Sequence, residues 1–302
     1  GSLATRSTFS DQTLNLFEVN ADLTVDRPYS DEFRAALARW PVEPEACTAG
    51  LAQPVDIVLV VVESLSVYQS RLQSGLNDMT PALDALTPEA GWFDGFLANG
   101  FTTDHGLIAL LAGRDPTPAF GRYSSMNAYH GFAGLPDTLP RRLARHGFHT
   151  AFMANSDLSF LDKGAWLATL GFDHIEGHDH PSYEGAPRSH FGSAPDGMLF
   201  ERAADWIAGQ PADRRFALVV TTTSSHPPFT HPISGERSED ATFRYVDEVT
   251  AGFASRLRAS GFLDRGLLLV TSDHRAMTPL RPGEAALYGE SALARIPLLN
   301  NA

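Results

Sequence analysis

Residues 56–64 read DIVLVVVES, and this stretch decides the fold. Its apolar residues are mostly β-branched and leave no polar face, which is typical of a strand buried on both sides of a sheet. Three later runs have the same character: HTAFMAN at 149–155, FALVVTTTS at 216–224 and GLLLVTSDH at 266–274. Apolar residues at helical spacing lie between them, over 135–146, 198–208 and 243–260. This alternation predicts an α/β fold: a doubly wound, mostly parallel sheet with helices on both faces.

Polar residues that follow these strands are the first candidates for a functional site. Glu63 ends the first run, His226 follows the third, and Asp273 with His274 closes the last. Doubly wound sheets bind ligands beyond the carboxyl ends of their strands, so we expect these side chains to lie close together. Carboxylates and an imidazole at one point can hold a divalent cation.

Composition excludes several classes of function. The formal net charge of -13 argues against nucleic-acid binding, because phosphate backbones are bound by clustered cations. Cys47 is the only cysteine, so neither an internal disulfide nor a cysteine-based zinc cluster can form. No run approaches the roughly 20 apolar residues that span a bilayer. We expect a leader or linker with one short helix over residues 1–52 and a catalytic domain over 53–302.

A second candidate element lies at 99–116, which reads NGFTTDHGLIALLAGRDP. The apolar residues 107–112 predict a short helix that stops at Gly113, so Thr103 falls at or next to its N-cap. A hydroxyl there lies beside unpaired backbone N–H groups and the positive end of the helix dipole, which favour a phosphate. Thr102 is the alternative nucleophile, and the ten-residue spacing to Gly113 favours Thr103.

These segments together resemble the sulfatase and alkaline phosphatase superfamily. In the sulfatase signature a nucleophile is followed ten residues later by Gly-Arg and then Pro, matched here by Thr103, Gly113-Arg114 and Pro116. A threonine nucleophile is used by the lipoteichoic acid synthase and phosphoglycerol transferase branch. That branch also has counterparts to VVVES at 60–64, SHPPF at 225–229 and the Asp-His pair, in the same order. The resemblance covers about residues 55–300 and implies an alkaline phosphatase-like α/β/α sandwich.

The resemblance also implies roles for individual residues. Glu63, Thr103, Asp273 and His274 would bind one divalent cation, which we expect to be Mn²⁺, with Zn²⁺, Mg²⁺ and Ca²⁺ as alternatives. His226 would hold a phosphate oxygen or protonate the leaving group. The remaining residues are expected to contact the substrate: Lys163 in LDKGAWLATLGFD, His190 and Asp196 in HFGSAPDGMLF, and Arg275 after the Asp-His pair.

Some positions depart from the family pattern. Sulfatases keep an Arg four residues after the nucleophile, where this chain has Leu107, which argues against sulfate ester hydrolysis. Phosphoethanolamine transferases of the superfamily usually carry disulfides around the site, which a single cysteine cannot supply. Arg275 replaces the usual Gly, so it would bind substrate, crowd the site or mark a degenerate enzyme. His174, His178 and His180 are an alternative second metal site, although their surroundings favour a loop.

The expected activity is transfer of a phosphoglycerol-type group from a membrane phospholipid to a hydroxyl acceptor, such as a periplasmic glucan or cell-surface polymer. A phosphodiesterase, a phosphatase or a sulfatase-like hydrolase is the alternative, and a non-catalytic binding module is the third. By resemblance, the domain lies on the outer side of the cell inner membrane, in the periplasm, and membrane contact is made by segments absent from this chain. We expect a monomer. The chain ends soon after RIPLLN at 295–300, where relatives usually continue, so the domain is either short or cut at its C-terminus.

Overall fold

A seven-stranded sheet organises the chain in a computed structural model that describes residues 55–87, 90–93, 95–116, 128–129 and 131–301. The strand order is β2-β7-β6-β1-β5-β3-β4. The strands are β1 Asp56–Val62, β2 Ala90–Trp92, β3 His149–Ala154, β4 His174–Glu176, β5 Phe216–Thr221, β6 Gly266–Ser272 and β7 Leu298–Asn301. Neighbours from β6 to β4 pair in parallel, whereas β7 pairs antiparallel with β6 and β2. The leader predicted over 1–52, with Cys47, lies outside the described residues.

The four apolar runs form the central strands as predicted. β1 lies between β5 and β6, with Leu59 opposite Val219 on one side and Leu269 on the other. Because side chains alternate along a strand, Val58 and Val60 enter the main core while Leu59 faces the other side of the sheet. Both faces of β1 are therefore covered, which explains why the run has no polar alternation.

Helices cover both faces of the sheet. They are α1 Arg71–Ser74, α2 Pro81–Leu86, α3 Thr103–Leu107, α4 Leu139–Arg145, α5 Lys163–Leu170, α6 Asp196–Ala208, α7 Glu239–Ala259 and α8 Pro282–Tyr288. The main core joins one sheet face to α6 and α7, while α4 and α5 contact β3 and β4 with a separate set of buried residues. The α/β prediction is confirmed. No helix in the described ranges is long and apolar enough to cross a bilayer.

The ends of several helices follow local chemistry. Ser238 caps α7, its hydroxyl accepting a hydrogen bond from the Ala241 amide. α3 continues as a π-helix over Ile108–Ala112 and stops at Gly113, which adopts a left-handed conformation with φ of 62°. The predicted stop at Gly113 is therefore confirmed, while the π-helical turn was not anticipated.

Candidate metal and phosphoryl-transfer site

Three buried side chains converge where β1 and β6 end. Val62 pairs with Ser272 in the parallel register, so Glu63 and the Asp273-His274 pair emerge side by side. One ligand atom from each of these three residues lies within 4.8 Å of the others. His274 Nε2 is 3.4 Å from Glu63 Oε1 and 3.5 Å from Asp273 Oδ2. The predicted convergence of these strand ends is present in the structure.

Thr103 joins this cluster from the first turn of α3. Its Oγ1 donates a hydrogen bond to Glu63 Oε2 at 3.1 Å and lies 3.5 Å from His274 Nε2. Thr102 is the N-cap, but its side chain makes no capping hydrogen bond. Thr103, and not Thr102, therefore contacts the cluster at the helix N-terminus.

Gly106 allows α3 to approach the loop that carries Asp273. A Cβ atom at position 106 would lie 2.2 Å from the backbone oxygen of Asp273. Only a residue without a side chain fits this contact, so Gly106 sets the distance between the helix that carries Thr103 and the Asp-His loop.

Buried carboxylates in this cluster favour positive charge at its centre. Burial alone would raise the pKa of Glu63, but the hydrogen bond and charge of His274 hold it well below its ordinary value. Burial and the charge of Glu63 raise the pKa of Asp273 to about 6. Burial opposes a charged imidazole, yet Asp273 and Glu63 raise the pKa of His274 to about 10.

Backbone and hydroxyl groups hold the carboxylates in place. The Ser64 amide donates to Asp273 Oδ1 at 3.1 Å, and the Ser64 hydroxyl donates to Glu63 Oε1 at 2.6 Å. The Glu63 amide donates to Thr222 Oγ1 at 2.9 Å, and the Ser225 hydroxyl donates to the Glu63 carbonyl. The ends of β1, β5 and β6 are therefore tied together around the cluster.

The donor set suits a hard or borderline divalent cation. Two carboxylates, one imidazole and one hydroxyl are oxygen and nitrogen ligands, which Mn²⁺, Mg²⁺ and Zn²⁺ accept. Among the described residues, no second group of three such side chains comes together. His174 and His180 instead flank Glu176, whose carboxylate also pairs with Arg202. A second metal site is thus not formed there.

Lys163 and two histidines surround the cluster. Burial lowers the pKa of Lys163, which begins α5, and the carboxylates of Glu63 and Asp273 oppose that shift. The Lys163 ammonium is therefore within electrostatic reach of the cluster. His226 donates from Nδ1 to the Pro227 carbonyl at 2.6 Å, and its ring lies 5.8 Å from that of His190. His190 Nε2 is buried and has no hydrogen-bond partner among the residues described.

Asp196 was predicted to contact substrate, but the structure buries it behind the loop that follows β5. Its side chain has no exposed surface. Its Oδ1 accepts hydrogen bonds from Asn155 Nδ2 at 2.7 Å and from the Thr223 amide at 3.0 Å, and Oδ2 accepts from the Ser224 amide at 3.1 Å. These bonds fix the loop that leads from β5 to His226, so substrate cannot reach the carboxylate.

Arg275 also differs from its predicted role. Its side chain is buried and turns towards Glu284 of α8, with Nε 2.9 Å from Oε1 and Nη2 2.7 Å from Oε2. It neither crowds the cluster of Glu63, Asp273 and His274 nor offers a free charge to substrate. Arg275 therefore gives no reason to regard the site as degenerate.

Backbone strain concentrates at these loops. Among the described non-glycine residues, five have positive φ values between 55° and 59°: Ser64, Leu161, Asp162, Phe191 and Phe229. Each lies within three positions of a candidate site residue. Such conformations cost about 1–3 kcal/mol each and tend to persist at functional sites.

Tyr129 is a buried aromatic neighbour of the site. Its buried ring stacks on Trp166 of α5, with ring centroids 4.2 Å apart. Burial raises the pKa of Tyr129 well above its ordinary value, and the charges of Asp104 and Asp273 act in the same direction. The hydroxyl has no hydrogen-bond partner in the described part of the chain. No motif spacing marks this tyrosine, so only the fold reveals it.

Comparison with known proteins agrees with the fold and the strand-end motifs. A family model described as Sulfatase matches residues 56–299. Phosphoglycerol transferase I of Xanthomonas euvesicatoria pv. vesicatoria (strain 85-10) is 26% identical over 211 residues, which are 64% of this chain and 28% of that protein. The chain therefore spans less than a third of this curated relative. The resemblance to the phosphoglycerol transferase branch is confirmed by such relatives.

Two solved structures share the architecture. The lipoteichoic acid synthase LtaP from Listeria monocytogenes aligns with a TM-score of 0.67 at 20% identity, covering 83% of this chain and 66% of LtaP. The Streptococcus pyogenes phosphoglycerol transferase GacH, in complex with sn-glycerol-1-phosphate, aligns with a TM-score of 0.57 at 14% identity, covering 100% of this chain and 78% of GacH. At these identities the likeness shows the fold alone.

Proposed function

This chain belongs to the sulfatase family, and from that premise we propose that it is a metal-dependent transferase of a phosphoglycerol-type head group. The donor would be a membrane phospholipid and the acceptor a hydroxyl of a glucan or cell-surface polymer. The names of the sequence relatives, phosphoglycerol transferase I, support this choice of donor group. The single observation that carries the proposal is the contact of Thr103 with both Glu63 and His274.

The protein's own residues divide the work of the first half-reaction. A divalent cation held by Glu63, Asp273, His274 and Thr103 would lower the pKa of the threonine hydroxyl and offset phosphoryl charge. Thr103 Oγ1 forms the bond to phosphorus and gives up its proton to solvent. The bond from phosphorus to the diacylglycerol oxygen breaks, and that oxygen takes a proton from His226. The product is a phosphoglycerol ester of Thr103.

The second half-reaction returns the site to its starting state. The acceptor hydroxyl gives its proton to His226 and attacks phosphorus, while Thr103 departs and recovers a proton from solvent. His226 donates from Nδ1 to the Pro227 carbonyl, which leaves Nε2 of the neutral ring as the base. The charge of Lys163 stabilises the non-bridging oxygens in both transition states.

Location and assembly are further parts of the proposal. The whole protein would be anchored in the cell inner membrane, with this domain in the periplasm and acting as a monomer. A phospholipid donor supports that placement, because its head group is presented at the membrane surface.

Replacement of Thr103 tests the proposal. Diacylglycerol release from phosphatidylglycerol is measured in the presence of Mn²⁺ and a glucan acceptor. A label in the head-group glycerol shows where the transferred group goes. Thr103→Ala should reduce release at least about a thousandfold, because the nucleophile is lost. Thr102→Ala is the matched control and should retain activity, since its hydroxyl makes no capping bond. Activity in Thr103→Ala would contradict the proposal, and release of free glycerol phosphate without acceptor would identify a hydrolase.

A further inference from the structure

Arg275 uses every N–H donor of its guanidinium group inside the protein. Nε and Nη2 bind the two carboxylate oxygens of Glu284. Nη1 donates to the carbonyls of Ala276 at 2.9 Å and Thr278 at 2.8 Å, and Nη2 also donates to the Pro279 carbonyl at 3.4 Å. A planar group with five donors is required for this set, and a lysine could satisfy only part of it.

The same residue orients His274 through its backbone. His274 Nδ1 donates to the Arg275 carbonyl at 2.7 Å, which directs Nε2 towards Glu63 and Thr103. The Ala276 amide donates to the Ser64 carbonyl at 3.2 Å, next to Glu63. The turn that Arg275 braces is therefore attached to both the imidazole and the first carboxylate.

We propose that the buried Arg275–Glu284 pair is a positioning device that holds His274 in the orientation needed to bind the divalent cation. It acts by fixing the turn over residues 275–279, whose first carbonyl sets the imidazole. The inference rests on the proposed metal-dependent function, and it adds a residue that contacts neither substrate nor cation.

A second Arg–Glu pair, with a buried carboxylate and a partly exposed guanidinium group, offers a control. Arg202 binds Glu176 with two nitrogens, and the carboxylate is buried as Glu284 is. Glu176 ends β4, the edge strand three positions from β1, and therefore lies away from the cation ligands. If the pairs only stabilise the fold, variants of both should affect Mn²⁺ binding equally. If the Arg275–Glu284 pair positions His274, only its variants should weaken Mn²⁺ binding.

The experiment measures Mn²⁺ binding to the full chain, without substrate, by calorimetric titration and by the electron paramagnetic resonance spectrum of the bound ion. Arg275→Lys keeps the positive charge but loses the planar guanidinium group that binds both oxygens of Glu284. Glu284→Asp shortens the side chain by one methylene and so displaces the carboxylate. Each should weaken Mn²⁺ binding about 10–100-fold, the range found for partners that orient metal ligands. Each should also alter the spectrum at saturating Mn²⁺. Arg202→Lys and Glu176→Asp should bind within about twofold of wild type and leave the spectrum unchanged.

Several outcomes would overturn the inference. It fails if Arg275→Lys and Glu284→Asp bind Mn²⁺ as wild type does, or if all four variants lose affinity equally. Circular dichroism verifies folding, and if Arg275→Lys does not fold, Glu284→Asp decides. Wild-type protein that binds no divalent ion would overturn both the metal-dependent function and this inference. Wild-type protein that binds Mn²⁺ but transfers no head group would overturn the proposed function alone.

Discussion

Replacement of Gly106 by alanine tests whether the close approach of α3 to the Asp-His loop is needed for activity. The added Cβ would lie 2.2 Å from the Asp273 carbonyl oxygen and 2.7 Å from its carbonyl carbon. Ordinary contact begins at about 3.4 Å, so the two segments must separate by about 1.2 Å. Both are backbone, so no side-chain rotation can relieve the overlap. Thr103 moves with the helix, because it lies one turn before Gly106.

The expected loss follows from that displacement. Overpacking of this kind costs about 1–3 kcal/mol of unfolding free energy. A misplacement of about 1 Å at a reacting group lowers rate by up to about 100-fold. The 3.1 Å hydrogen bond from Thr103 to Glu63 should lengthen, and Mn²⁺ affinity should fall with it.

The assay compares Gly106→Ala with Gly252→Ala. Gly252 lies in α7, where an added Cβ meets nothing within 4 Å, so alanine should stabilise the fold by about 0.5–1 kcal/mol and leave turnover unchanged. Head-group release gives kcat/KM, and chemical denaturation gives the unfolding free energy. If Gly106→Ala keeps kcat/KM within about threefold of wild type, the close approach does not govern the chemistry and the reasoning is refuted.

Three further predictions concern charge, an unpaired hydroxyl and pH. Lys163→Met should lower kcat/KM about 100-fold and Lys163→Arg should lower it less, because the charge is kept; equal losses would contradict an electrostatic role. Tyr129→Phe should slow turnover without loss of stability, whereas Tyr183→Phe, which also removes a buried unpartnered hydroxyl, should leave turnover unchanged. Burial raises the pKa of Asp247 to about 6, so its folded form binds a proton more tightly than the unfolded chain does. Asp247 should therefore add about 1 kcal/mol to the unfolding free energy as pH falls from about 7 to about 5, and wild type should gain that amount relative to Asp247→Asn when both are denatured at the two pH values.

The central strands and the side chains that converge at their ends could be predicted because buried parallel strands leave a strong signal. An apolar run without alternation specifies a strand covered on both faces, and the rule that sites lie beyond strand ends selects Glu63, Asp273 and His274. Thr103 followed from helix-terminus chemistry together with spacing. The antiparallel edge formed by β7 and β2 was missed, because its strands have only four and three residues and β7 includes two asparagines.

Side-chain direction is what the sequence could not supply. Arg275 stands beside the ligands in the chain, yet its partner is nine residues further on, so adjacency suggested substrate contact. Asp196 was selected as part of a motif, but its completely buried carboxylate instead accepts hydrogen bonds from three protein donors. Tyr129 packs on Trp166 of α5, a contact between residues that are distant in the sequence. Each of these outcomes depends on tertiary packing, which no local pattern encodes.

The five left-handed residues around the site have a bearing on how this protein could be adapted for use at higher temperature. Glycine tolerates their backbone geometry without penalty, so Ser64→Gly or Phe191→Gly would relieve local strain. Screens for heat-tolerant variants should therefore recover changes at these loops, and those variants should be poorer catalysts, since the same loops aim Glu63 and His190. Gains in heat tolerance without loss of turnover should come from surface helices such as α7 instead.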